Sequence, residues 1–213
     1  MTNTGSTNSA YAALLAYFSD PSVSSLIPIS HPDKAVNLQA DREKHSYRKA
    51  AVLLPITRHS GKSQSELVLT VRSANLKSHA GQISLPGGMR EDYDADFEAT
   101  ALRESEEEIG LKPDQVEVIG KLGDMALPSG FQITPIVGLI DNDLVFTPSP
   151  DEVADIFQAP LELILDPQAY RHSTMFFESN ERAILELMYE DYRIWGATAA
   201  ILYHLANEVQ KYR

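Results

Sequence analysis

The chain has 213 residues, enough for one domain with a well-buried core. Its formal net charge of −12 excludes a general nucleic-acid binder, which needs a basic face, and the lack of cysteine excludes a disulfide framework and thiol chemistry. At 43% hydrophobic and 23% charged, it has the composition of a soluble globular protein.

Residues 1–10 carry no Lys or Arg, and the apolar run Ala10–Phe18 is short and interrupted by tyrosines. It has neither the charged start of a secretory leader nor the length of a membrane span, so a cytoplasmic protein is expected. Ser9–Phe18 reads as a short helix, followed by an irregular stretch containing Pro21, Pro28 and Pro32. Ala50–Thr57 and Glu66–Arg72, rich in Val, Leu and Ile, read as strands joined by a polar turn at Ser60–Ser65. Gln82–Leu85 is a short extended piece ending in a Pro86-Gly87-Gly88 turn. A helix is expected from about Asp96 to Ile109, started by Asp94 or Asp96 and stopped by Gly110 with Pro113 beyond. Its inward face is Phe97, Ala101, Leu102, Ser105 and Ile109.

Further strands are expected at Val116–Leu122, Gln132–Ile140 and Glu152–Phe157, the last leading through Pro160 into a short helix at Leu161–Leu165. Tyr170–Phe177 and Arg182–Tyr189 suit a hairpin about Ser179-Asn180, and Ile194–Lys211 closes the chain as an amphipathic helix. Strands interleaved with fewer helices predict a mixed α/β sandwich.

The informative chemistry lies in the helix after Gly88. Glu104, Glu107 and Glu108 stand three and four residues apart, so they share one helical face. Each such like-charge pair costs roughly 0.2–0.5 kcal/mol in water, and a hard cation with oxygen ligands, such as Mg²⁺, relieves that repulsion. Charge is also segregated along the chain. Residues 71–90 hold Arg72, Lys77, His79 and Arg90 with no Asp or Glu, whereas residues 91–108 are strongly acidic with Arg103 as their only Lys or Arg. A basic segment abutting an acidic one suits a phosphate-bearing substrate held between a cationic clamp and a metal.

The segment Gly88–Leu111 resembles the Nudix box, through Gly88, Arg103, Glu104, Glu107, Glu108, Gly110 and Leu111. Its spacer before Arg103 is one residue longer than the common pattern, leaving Asp94 where a Glu is usual and weakening any role for it. Ser105 stands in place of an aliphatic residue. Upstream, Leu69-Thr70-Val71-Arg72-Ser73, Lys77, Gly81 and Pro86-Gly87-Gly88 resemble the additional motif of Nudix coenzyme A pyrophosphatases, with Lys77 for the usual Arg and Leu85 for the usual Phe. Ser129-Gly130-Phe131, Thr134-Pro135 and Ile194-Trp195-Gly196-Ala197-Thr198 are also similar to that subgroup.

The resemblance implies a Nudix-type α/β/α sandwich with a mixed β-sheet, residues 1–48 forming an extension that packs on a hydrolase domain of residues 49–213. It implies Mg²⁺ or Mn²⁺ as cofactor, and hydrolysis of coenzyme A and its acyl derivatives to 3′,5′-ADP and (acyl) 4′-phosphopantetheine. Glu104 and Glu108 are then the principal metal ligands, Glu107 a third ligand or base, and the Gly88 carbonyl a further oxygen. Arg103, four residues before Glu107, holds that carboxylate in place. Arg72, Lys77 and Arg90 are candidates for the substrate's phosphates, Phe131 for a substrate-lining position, and Glu152 for an accessory acid. His79 is more simply a loop histidine, and Trp195 core or dimer packing. A small-molecule substrate and a homodimer are expected, with neither nucleic acid nor membrane as partner. Competing readings are a Nudix hydrolase of ADP-ribose, NADH or a dinucleoside polyphosphate, and a catalytically silent nucleotide sensor.

Overall fold

The computed structural model describes residues 9–24, 26–42, 47–60, 64–177 and 180–213. In chain order the helices and strands are α1 (Ser9–Ser19), α2 (Lys34–Arg42), β1 (Arg48–Thr57), β2 (Glu66–Arg72), β3 (Ile83–Ser84), β4 (Gly87–Met89) and α3 (Phe97–Ile109). There follow β5 (Glu117–Lys121), β6 (Met125–Ala126), β7 (Phe131–Ile140), β8 (Val153–Pro160), α4 (Leu161–Ile164), β9 (Arg171–Phe177), β10 (Asn180–Tyr189), β11 (Tyr192–Trp195) and α5 (Gly196–Gln210).

The larger sheet runs β3-β2-β1-β7-β5, with β4 added to β1, β6 to β7 and β8 to β2. Its spine is the parallel pair β1–β7, in register from Arg48↔Phe131 to Thr57↔Ile140; the other pairs are antiparallel, so the sheet is mixed. β1 is apolar on both faces because both are covered. Leu53 packs with Ala101 and Ile109 of α3, while Leu54 and Ile56 pack on the opposite side with α1, α4 and α5. Full burial of each such side chain contributes roughly 1.5–3 kcal/mol. The result is a sandwich of α3, the sheet, and a second helical layer joined by the small antiparallel sheet β11-β10-β9, as the element order predicts. In α1, Ala10, Ala13, Leu14 and Tyr17 are part of the larger core.

Four local expectations change. Lys34–Arg42 is helical although Pro28 and Pro32 suggest an irregular stretch: Asp33 accepts from the Ala35 N–H through Oδ1 and from Val36 through its carbonyl, starting a helix just past the prolines. Gly87-Gly88 is a strand rather than a turn, since Gly87 (φ 151°) adopts a backbone that brings it flat against β1. Its added Cβ would fall on the Ala51 carbonyl oxygen and 2.6 Å from Val52 Cα. Met125–Ala126 adds a short unforeseen strand to β7. Ile194 and Trp195 belong to β11, paired with Leu187 and Glu186, and the last helix starts only at Gly196, where the chain turns at φ 66°. Residues 61–63 of the first expected turn and 178–179 of the hairpin turn lie outside the described residues.

Candidate active site

The site is built on α3. Asp96 caps its start, Oδ1 accepting from Ala99 N at 2.8 Å, and Gly110 ends it in the left-handed conformation at φ 71°, its N–H donating to the Glu106 carbonyl. Ala101, Ser105 and Ile109 are fully buried, and the Ser105 hydroxyl is satisfied by the Ala101 carbonyl at 2.7 Å. A polar residue therefore fits where an aliphatic one is usual. With that face fixed inward, Glu104 and Glu108 flank the sheet, while Glu106 is exposed.

Glu104 lies directly over Gly88: a Cβ added to Gly88 would fall on its carboxylate, 2.7 Å from Oε1. One turn later Glu108 is buried; its Oε2 accepts from Gly87 N at 3.1 Å and its Oε1 lies 3.9 Å from Arg72 Nη1. Two loop hydrogen bonds, Thr147 N to Ile109 O and Ser149 N to Glu108 O, tie the chain before β8 to the end of α3. Ser73 N donates to Glu152 O at 2.8 Å, fixing Glu152 beside the end of β2. Burial pushes the Glu108 carboxyl up to about 7, and the charges of Glu152 and Glu104 add to it, partly offset by Gly87 N–H and Arg72. Burial likewise raises Glu104, with Glu107 and Glu152 contributing in the same direction.

Arg103 is a clamp with every branch engaged. Nε and Nη2 donate to the two oxygens of Asp94 at 2.9 and 3.0 Å, Nη2 also to Met89 O, and Nη1 to Glu107 at 3.2 Å, with Glu104 Oε1 2.8 Å away. Asp94 is itself buried and accepts from Thr100 Oγ1 and Glu91 N. Those donors, Arg103 foremost, hold its carboxyl far below the usual carboxylate range. The longer spacer thus leaves Asp94 with a specific task, anchoring the guanidinium that orients Glu104 and Glu107. Spacing alone hides this, because the loop of residues 90–96 folds back on itself.

Other expected residues are distributed unevenly. Arg72 is at the site, and its buried Nε has no hydrogen-bond partner among the described residues. Glu107 points outward, 53% exposed, so Glu152 is the third carboxylate whose charge bears on both Glu104 and Glu108. Lys77 is exposed in the loop after β2, as is His79, whose Nδ1 pairs with Gln82 Oε1. Arg90 donates to the Asp94 and Ala95 carbonyls and lies 5.3 Å from the Phe97 ring centre. Phe131 stands at the start of β7 under the Arg48 guanidinium, 3.9 Å above its ring. Trp195 is half-buried in β11, with Arg193 5.6 Å from its ring centre.

Among the described residues no three His, Cys, Asp or Glu side chains converge into a ready-made ligand group. The donor chemistry nevertheless fits a hard divalent cation. Glu104 and Glu108 supply oxygen only, burial and mutual repulsion disfavour their charged forms, and Gly88 keeps the main chain close by. Mg²⁺ or Mn²⁺ would be held by Glu104, Glu108 and the Gly88 carbonyl. Gly88→Ala is a sharp check on this arrangement. Its φ is not left-handed, and the nearest atoms that the added methyl meets are those of the Glu104 carboxylate, the far end of a flexible side chain. A fall in kcat of about 10–100-fold with a nearly unchanged melting temperature is expected, measured side by side on the purified variant.

A mixed sandwich with an acid-lined helix beside a glycine strand is the arrangement that the Nudix resemblance implies. The NUDIX domain family model matches residues 46–178, and the chain belongs to that family. It is 42% identical over 171 residues to an uncharacterized Nudix hydrolase, NudL, of Escherichia coli O1:K1, a match covering 80% of this chain and 88% of that protein. The NudL protein of Shigella boydii serotype 18 matches to the same extent. A MutT/nudix family protein from Enterococcus faecalis shares the fold, with a TM-score of 0.51 at 14% identity, covering 84% of this chain and 70% of that one. No helix among the described residues is long and apolar enough to cross a membrane.

Proposed function

We propose that this Nudix hydrolase cleaves the pyrophosphate of coenzyme A and of acyl-coenzyme A, giving 3′,5′-ADP and (acyl) 4′-phosphopantetheine. The observation that carries the reading is the meeting of Arg72 with Glu108 at 3.9 Å. Arg72 comes from the segment that resembles the coenzyme A pyrophosphatase motif, and Glu108 from the box, so both sequence signals converge on one site.

The roles follow from the chain's own groups. Hydrolysis adds water across a P–O–P bond and needs charge neutralised on the phosphate oxygens. A bound divalent cation supplies positive charge to those oxygens. Arg72 brings a second positive group and an unsatisfied buried N–H to the same place, donors that match phosphate geometry. The carboxylates of the α3 face, Glu104 and Glu108, accept the proton of the attacking water as a pair, with neither singled out as the base. Arg103, held by Asp94, keeps Glu104 in place. Lys77, Arg90 and Phe131 are the proposed substrate contacts around this centre.

Product analysis tests the proposal. Purified protein with coenzyme A and Mg²⁺ or Mn²⁺ is expected to release 3′,5′-ADP and 4′-phosphopantetheine in equal amounts, and EDTA to stop it. Turnover of ADP-ribose, NADH or a dinucleoside polyphosphate with none of coenzyme A would move the assignment to another Nudix substrate. Binding without products would make the chain a sensor.

A further inference from the structure

Strand register, rather than sequence spacing, brings two cations together at the mouth of the site. Ala50 lies opposite Met89 and Ala51 opposite Gly88, so Lys49 lies opposite Arg90, and Arg90 N donates to Lys49 O at 2.9 Å. On the other side of β1, Lys49 is in register with Gln132 of β7. Lys49 shares the parity of Ala51 and Leu53, Arg90 that of Gly88, and Gln132 that of Ile136, so all three belong to the face that α3 covers. Arg90, Lys49 and Gln132 therefore form one row across the sheet, two residues or about 7 Å from the Gly88 row on which Glu104 sits.

Like charges directly opposite on an antiparallel pair destabilise it. Among the described residues neither cation has a carboxylate within ion-pair distance; Arg90 donates to two carbonyls and lies by the Phe97 ring. The row is nonetheless built. Asp124 accepts from Gln132 Nε2 and, at 2.7 Å, from Thr134 Oγ1, which turns the Gln132 Oε1 toward Lys49 Nζ at 2.7 Å. Lys49 is left with two ammonium N–H groups and Gln132 with one amide N–H, all donors.

Resting on the proposed function, we infer that the Lys49–Arg90–Gln132 row binds a second phosphate of the substrate, separate from the one being cleaved. In coenzyme A that group is the ribose 3′-phosphate, one sugar away from the pyrophosphate. Lys49 and Gln132 are thus specificity-determining residues.

The test reads binding as well as turnover. Calorimetric titration with adenosine 3′,5′-bisphosphate and with 5′-AMP is expected to show the parent preferring the bisphosphate. Lys49→Ala lowers that preference about tenfold, while Lys49→Arg keeps most of it. The ratio of kcat/KM for coenzyme A over 3′-dephospho-coenzyme A falls in parallel. Because the substitution removes a like-charge pair, Lys49→Ala melts no lower than the parent; a lower melting temperature makes Lys49 a structural prop and overturns the inference. An unchanged bisphosphate preference in Lys49→Ala also overturns it. Should the parent fail to cleave coenzyme A yet keep a Lys49-dependent bisphosphate preference, the proposed substrate falls and the phosphate subsite stands.

Discussion

Glu104→Gln and Glu108→Gln are each expected to lower Mg²⁺-dependent kcat by roughly a hundred- to a thousandfold, the scale of removing one electrostatic contributor from a preorganised site. Both substitutions keep shape. A Gln at 108 can still accept from Gly87 N through its carbonyl, so the strand–helix contact survives. Stability has the opposite sign to activity. The folded-state carboxyl of Glu108 is raised by burial, so its charged form penalises the folded protein. That penalty is absent below the unfolded value of about 4.3 and complete above the folded value of about 7. Metal-free Glu108→Gln is therefore expected to melt above the parent at pH 8 and to converge with it near pH 4. Full activity in either variant, measured with Mg²⁺ and Mn²⁺, would remove this helix face as the metal site.

Asp94→Ala is expected to cost about 3 kcal/mol in urea denaturation, because it deprives the partly buried Arg103 of its bidentate partner. It should also reduce kcat, since the guanidinium that orients Glu104 loses its anchor. The pH dependence identifies the cause. Arg103, with help from Glu91 N and Thr100, depresses the Asp94 carboxyl in the folded state. Its contribution is complete above the unfolded value of about 3.9 and is lost as pH falls through the lower folded value. The difference in stability between parent and variant should stay constant from pH 7 to pH 5 and shrink only in stronger acid. A difference that varied between pH 5 and 7 would point to another group.

How much of this was legible in the sequence depended on the range of the interaction. The carboxylate stripe of α3 was readable because Glu104 and Glu108 are one turn apart, and the long strands were readable from their apolar runs. The stop at Gly110 was equally local. What escaped notice is set by contacts distant in sequence. The Pro86-Gly87-Gly88 piece reads as a turn until β1 offers it a partner, and Ile194–Trp195 is apolar enough to extend a helix until β10 claims it. The role of Asp94 depends on a loop folding back by nine residues to Arg103. Glu152 became relevant because Ser73 and the end of α3 fix its loop. Lys49 carried no signal, since its meaning comes entirely from lying opposite Arg90.

The spine of the sheet has a consequence for how the protein acquires function. β1 and β7 align over ten residues although most of the catalytic segment, from Gly88 through Glu108, lies in the chain between them. Closing so large a loop is entropically unfavourable and slows folding of such non-local topologies. Arg72, Gly88, Glu108 and Glu152 come from four separate stretches, joined through the pairing of β4 with β1 and of β8 with β2. Recovery of turnover after denaturation is therefore expected to track the late step of refolding that joins these distant stretches.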